Sequence, residues 1–121
     1  MSNVDDHLRN HGFLYDTGKR GWRLSPAYDL NPVPVDIKPR ILSLMIDDRD
    51  NSASFDLTVE VGDYFGLAED DKRAVVTDLV NSISTWRGEA KRIGVSAEEI
   101  NRMASAFEHD EMVRAQRFLR A

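Results

Sequence analysis

The residues Phe13-Leu14-Tyr15-Asp16-Thr17-Gly18-Lys19-Arg20-Gly21-Trp22-Arg23-Leu24 decide how this chain is read. Two short aromatic-rich runs, Phe13-Leu14-Tyr15 and Trp22-Arg23-Leu24, flank a turn-rich connection, which is the composition of a β-hairpin. Beyond the hairpin the chain changes character once. All four prolines (Pro26, Pro32, Pro34 and Pro39) lie within residues 1–50, whereas residues 67–121 contain Gly88 and Gly94 as their only glycines and read as helix. Strands and loops followed by helices imply an α+β fold, with residues 1–50 carrying the loops and hairpin and residues 51–121 forming a helical region.

The helical half has sharp punctuation. Val76, Leu79, Ile83, Trp86, Ala90 and Ile93 alternate steps of three and four, which predicts one continuous stripe on a helix of about 24 residues. Glu69, Asp70 and Asp71 supply negative charge at its start, and Gly94 supplies its left-handed stop. In Val95-Ser96-Ala97-Glu98-Glu99-Ile100, a capping box (Ser96 with Glu99) and a hydrophobic staple (Val95 with Ile100) begin the next helix. Ile100, Met103, Ala104 and Phe107 continue its apolar face until Glu108-His109-Asp110 breaks the phase, and Met112 to Leu119 forms a last helix. Ile41 to Ile46 reads as a buried strand. Phe55, Leu57, Val59 and Val61 alternate with Asp56, Thr58 and Glu60, the pattern of a half-buried strand, yet Leu57, Val61, Tyr64 and Phe65 also share one helical face. Local pattern alone favours the strand.

Composition excludes several functions. With 121 residues, 41% hydrophobic and 31% charged, the chain is long and apolar enough to fold rather than to form a disordered tail. No apolar run approaches the ~18 residues of a membrane span, and no signal peptide precedes the acidic residues, so a cytoplasmic address is the default expectation. The absence of cysteine removes disulfides, zinc–thiolate sites and thiol catalysis. Residues 1–50 hold 7 basic and 8 acidic side chains, and the whole chain carries −5, a balance that argues against general affinity for nucleic acid or anionic lipid.

The chemistry flanks the hairpin. Upstream, Asp5 and Asn10 have the D-x-x-x-x-N spacing of a kinase catalytic loop, in which the Asp orients or accepts the proton of the attacking hydroxyl and the Asn helps hold magnesium. Downstream, Asp29 adds a carboxylate on the far side of the hairpin. An amide oxygen and a carboxylate are the hard donors Mg²⁺ prefers, with phosphate oxygens and water completing the octahedron. His7 is expected to brace the loop by hydrogen bonds rather than to act as acid or base, and Arg9 to meet a phosphate or a neighbouring carboxylate. His11 and His109 have no motif around them and read as structural or solvated. Trp22 and Trp86 read as packing anchors.

Together, Val4-Asp5-Asp6-His7-Leu8-Arg9-Asn10-His11-Gly12-Phe13-Leu14 and Trp22-Arg23-Leu24-Ser25-Pro26-Ala27-Tyr28-Asp29-Leu30 resemble the catalytic-loop and metal-loop signatures of HipA-like serine/threonine kinases, the toxins of type II toxin–antitoxin systems. The specific part of the resemblance is confined to residues 4–30 and continues more loosely through Ile41–Ile46 and the helices. It implies a HipA/protein-kinase-like C-lobe, predominantly helical, with Asp5 catalytic, Asn10 and Asp29 holding the metal and nucleotide, and His7 and Arg9 in support. It further implies Ser54–Phe65 as helix, against the local pattern. Mg²⁺ and ATP are the implied cofactors. A kinase N-lobe in cis or in trans, a protein substrate and a DNA-binding antitoxin are the implied partners.

The second motif is Tyr28-Asp29-Leu30 rather than Asp-Phe-Gly, and Asp6 stands where the family can have Gly, which bears on the loop's backbone. Neither G-x-G-x-x-G nor a Walker-type G-x-x-x-x-G-K-[ST] is present, so the chain alone is expected to be inactive. Two other readings remain open. One is a non-catalytic remnant or interaction module. The other is a metal-dependent hydrolase using Asp5, Asp6, His7 and Asp29.

Overall fold

The hairpin forms as the turn chemistry implies. In a computed structural model that describes residues 1–121, strands β1 (Phe13–Asp16) and β2 (Gly21–Leu24) pair antiparallel with Phe13 opposite Leu24 and Tyr15 opposite Trp22. Asp16 Oδ1 accepts hydrogen bonds from the Gly18 and Lys19 amides at 2.9 and 3.1 Å, and Arg20 closes the loop in the left-handed region at φ 50°. Trp22 meets Tyr15 edge-on at 5.4 Å but is 71% exposed, so it anchors the hairpin and not a core.

The remainder is helical: α1 (Phe55–Val61), α2 (Glu69–Ser84), α3 (Trp86–Arg92), α4 (Ala97–Phe107) and α5 (Asp110–Phe118), with short 3₁₀ turns at Leu8–Asn10 and Gly62–Phe65. The architecture is α+β and predominantly helical. Helix α5 packs on α1 and α2, while α3 packs on α4. Phe55 and Phe118 meet edge-on at 5.6 Å, and Arg73 lies over the Phe118 ring. The Glu111 carboxylate reaches across to accept from the Phe55 amide at 2.6 Å, supplying α1 with a tertiary cap.

Two local readings are corrected. Residues 55–65 are helical, as the family resemblance implies and the alternation does not. The Ser54 hydroxyl caps α1 by accepting from the Leu57 amide at 3.3 Å, and this turns the chain before the alternation can be used by a sheet. Ile41–Ile46 is not a buried strand: it makes a single bridge, Ile41 to Ser52, with Ile41 and Met45 exposed. Asp47 accepts from the Arg49 and Asp50 amides and Asp50 from Ser52, so consecutive Asx turns divert the partner segment away from a regular ladder.

The continuous helix of about 24 residues expected from Glu69–Asp71 to Gly94 is interrupted at Thr85. Ser84 and Thr85 hydroxyls donate to the carbonyls of Val80 and Ser82, and the Thr85 amide bonds to Ser82, three residues back, which tightens the turn and separates α2 from α3. The stop at Gly94 is as expected: φ is 87°, and the Val95 amide reaches the Ala90 carbonyl in a Schellman closure. The Ser96–Glu99 capping box is present in both directions, at 3.3 and 3.1 Å.

Trp86 stacks on Phe107 at 4.3 Å and donates to Glu108, half-buried between α3 and α4. The core is thin. Ten residues of 121 are buried, among them Val4, Val76, Ile100, Ala106 and Ala115. The accessible surface is 8720 Å², against roughly 6,600 Å² for a self-contained monomer of this mass. About 2,000 Å² of extra surface is therefore open, much of it apolar and on the hairpin. No helix is long and apolar enough to cross a membrane.

Candidate functional site

The two candidate motifs, separated by the hairpin in sequence, meet in space because β1 and β2 return the chain beside itself. The Ser25 amide bonds to the Gly12 carbonyl at 2.8 Å, continuing the pairing one step past the strands. Gly12 lies against both loops: a Cβ there would sit in ordinary contact with the Ser25 hydroxyl at 3.4 Å and the Tyr28 hydroxyl at 3.9 Å. Tyr28 then donates to the Arg9 carbonyl at 2.7 Å, and Asn10 Nδ2 donates to Asp29 Oδ2 at 2.8 Å. These two bonds fasten the loop at residues 28–29 to the loop at residues 9–10.

Each candidate residue has a distinct setting. Asn10 is buried, with 7% exposure, and its Oδ1 accepts from the His7 amide at 3.1 Å, so the amide is held at both ends. Asp29 is exposed and sits at φ 57°, a left-handed backbone that costs a non-glycine residue energy and that Asp tolerates better than most. Its second oxygen accepts from Asn31 Nδ2 at 2.6 Å. Asp5 is exposed and makes no side-chain hydrogen bond or ion pair, so its carboxylate is free to meet an incoming group.

His7 precedes the 3₁₀ turn in extended conformation, with Nε2 3.4 Å from Arg9 and Nδ1 buried without a partner. Arg9 thus meets His7 rather than a carboxylate. Asp6 has no left-handed backbone, so the absence of Gly there imposes no strain, and it pairs with His11 at 3.0 Å. His11 is therefore tied to the loop rather than simply solvated.

The arrangement brings Asn10 and Asp29 together as a pair of oxygen-bearing side chains. The donor set suits a hard cation such as Mg²⁺, which takes one or two protein ligands and fills its remaining positions with phosphate and water. For the Asn10 carbonyl oxygen to turn toward such an ion, the amide must rotate and release both the His7 N–H and the Asp29 carboxylate, forfeiting roughly 2–4 kcal/mol of hydrogen bonding. No group of three or more His, Asp or Glu side chains gathers as a metal cluster, and Asp5, Asp6, His7 and Asp29 form none.

Two contributors escaped the sequence reading. Tyr28 ties the loops and Asn31 orients Asp29. Tyr28 sits beside Asp29 in the second motif, and that adjacency was the available signal. Around the site Leu8, Phe13, Trp22 and Leu24 are each more than half exposed, and none of the main cavities includes Asp5, Asn10 or Asp29, so the cluster lies on an open face with an apolar surround.

The family model described as HipA-like C-terminal domain matches residues 1–110. No curated protein matches the chain, and no solved structure matches it.

Proposed function

This chain belongs to the family of HipA-like C-terminal domains, and from that premise we propose that it is the catalytic-loop half of a Mg²⁺- and ATP-dependent serine/threonine protein kinase. The observation that carries the proposal is the 2.8 Å bond from Asn10 to Asp29, which joins the two motifs across 19 residues of sequence. In this reading Asn10 and Asp29 hold the magnesium, which when bound neutralises the charge of the nucleotide's phosphates. The unpartnered Asp5 carboxylate orients the hydroxyl of a protein substrate and takes its proton. His7 and Arg9 brace the loop, with Tyr28 fixing its distance from Asp29.

Phosphoryl transfer depends on positioning, worth about 7–11 kcal/mol of barrier, and this chain has no glycine-rich loop to hold the phosphates. Turnover therefore requires a nucleotide-clamping N-lobe in cis or in trans. The exposed apolar residues around the site and the excess of accessible surface support such a partner, since one side of a standard interface covers about 800 Å². A toxin–antitoxin setting, with a DNA-binding antitoxin as a further partner, follows from the family alone.

Mn²⁺, a paramagnetic stand-in for Mg²⁺, tests the metal assignment. Titrated into ¹⁵N-labelled chain with ATP, it should broaden the Asn10 side-chain amide and the backbone signals of residues 28–31 first, and Asp29→Ala should abolish that pattern. Broadening centred on the acidic loop at residues 47–50, with Asn10 unaffected, refutes the assignment.

A further inference from the structure

Residues 57–65 present a surface that the kinase reading leaves without a task. Leu57, Val61 and Tyr64 follow one another at helical spacing along α1 and the 3₁₀ turn after it, and with Phe65 and Ile46 they form the apolar floor of an open groove of about 840 Å³. Tyr64 is 87% exposed and Phe65 77%, so the floor ends in two aromatic rings standing in solvent. The rim is acidic: Asp47, Asp48, Glu60 and Asp63 against the single cation Arg49. Asp63 is paired, at 2.6 Å, with Lys72 from outside the lining, and Asp48 with Arg49 at 3.5 Å, while Glu60 has no side-chain partner. None of the residues from Asp5 to Asp29 lines this groove.

The backbone that carries the aromatic pair is fastened at both ends. Gly66 turns the chain at φ 69°, and the Leu67 amide closes back onto the Gly62 carbonyl at 3.1 Å. The Lys72 stem lies so close over Gly62 that a Cβ there would approach its Cε to 3.0 Å, and the buried Lys72 ammonium fastens Asp63 from beneath. Order imposed before binding lowers the entropic cost of association, and exposed aromatic anchors contribute most of the energy in many interfaces.

We propose that this groove docks a basic amphipathic segment of a partner protein, one with two apolar anchors a helical turn apart flanked by Lys or Arg. The apolar floor recognises a helix through anchors at i and i+4, and the acidic rim selects the sign of its flanks. The same rim repels nucleic acid, anionic lipid and the identical groove of a second copy. Docking here is independent of nucleotide and of the Asn10–Asp29 pair, so it stands or falls separately from the kinase reading.

The test uses the full chain and a fluorescein-labelled helical 16-residue peptide of leucine and lysine, with leucines at i and i+4, read by fluorescence anisotropy. A leucine–glutamate counterpart and an all-polar lysine peptide serve as comparisons. The leucine–lysine peptide should bind, with amide shifts concentrated in residues 46–49 and 57–65, and each comparison peptide should bind at least about tenfold more weakly. Tyr64→Ala with Phe65→Ala should weaken binding about tenfold or more. Glu60→Lys, an exposed change that leaves the floor intact, should weaken it roughly threefold and flatten its salt dependence. Phe13→Ala with Trp22→Ala, on the hairpin, should leave the affinity unchanged. Equal binding of the acidic peptide, insensitivity to both groove variants, or loss of binding in the hairpin variant would overturn the proposal. So would a concentration-dependent dimer that the Tyr64/Phe65 variant dissolves, since the occupant would then be a second copy.

Discussion

His109 makes the helical half sensitive to mild acid. Its Nε2 lies 3.0 Å from Arg40, whose guanidinium can only donate, so Nε2 accepts and the neutral ring carries its proton on Nδ1. Burial, and then the Arg40 charge, push its pKa down from 6.5 to about 4. The unfolded chain regains the ordinary value, so between those limits it binds a proton that the folded chain refuses. Stability from this group is complete above pH 6.5 and is lost as pH falls through the folded value near 4.

At about 1.36 kcal/mol per pH unit the full difference would be about 3.4 kcal/mol. The side chain is only partly buried, so solvent screens the interaction, and about 1–2 kcal/mol is the expected loss. Asp36, Asp50, Glu99 and Glu108 are held below their ordinary values by hydrogen bonds and nearby arginines, so their losses fall at lower pH than that of the histidine. Urea unfolding between pH 7.5 and 5 separates the two. The parent chain should weaken mainly below about pH 6.5, and His109→Gln, whose amide oxygen can still accept from Arg40, should lose that fall and keep only the shallower slope of the Met1 amino group, whose pKa burial lowers. An unchanging parent, or a variant with the parent's slope, refutes the reasoning.

Three further outcomes follow from the packing. Trp86→Ala should cost about 2–3 kcal/mol in urea melts, less than a fully buried tryptophan, because the ring stacks on Phe107 with one side open. Ser96→Ala should cost ~1 kcal/mol by removing the cap of α4, and Ser96→Asp, which can still cap, should restore most of it. Asn10→Leu should lower the melting temperature by several degrees, because it leaves the His7 amide and the Asp29 carboxylate each short of a partner in a part-buried site.

Sequence reading was most reliable where one residue dictates one backbone event. The Gly94 stop, the Ser96–Glu99 box and the hairpin around Asp16–Gly21 all depend on contacts a few residues apart, and all form. It was misled where a side chain redirects the chain: the Ser54 cap turned an alternating segment into helix, and Asp47 and Asp50 broke up the strand expected from Ile41 to Ile46. Thr85 and its neighbours interrupt a helix whose hydrophobic stripe runs on unbroken, since periodicity does not register a hydroxyl bonding to its own backbone. At the site, the D-x-x-x-x-N spacing and the second motif nominated Asp5, Asn10 and Asp29, and the structure brings Asn10 and Asp29 into contact. That Asn10 donates to Asp29, that Tyr28 ties the loops, and that Asp29 sits in the left-handed region depend on the hairpin's return path and have no local signature.

The central claim, that these loops are the catalytic half of a kinase, is tested most directly by phosphoryl transfer from labelled ATP to protein. The chain is incubated with Mg²⁺ and cell lysate, alone and with a family N-lobe supplied on a separate chain. The chain alone should transfer nothing measurable, because half of the positioning contribution is already worth several powers of ten in rate. With the N-lobe present, labelled phosphoserine or phosphothreonine should appear, and Asp5→Asn should abolish it without weakening the association of the two pieces. Robust transfer by the chain alone that Asp5→Asn abolishes would contradict the need for an N-lobe. An assembled pair that binds ATP and Mg²⁺ yet transfers no phosphate, or transfers it equally well with Asn at position 5, would contradict the catalytic assignment itself.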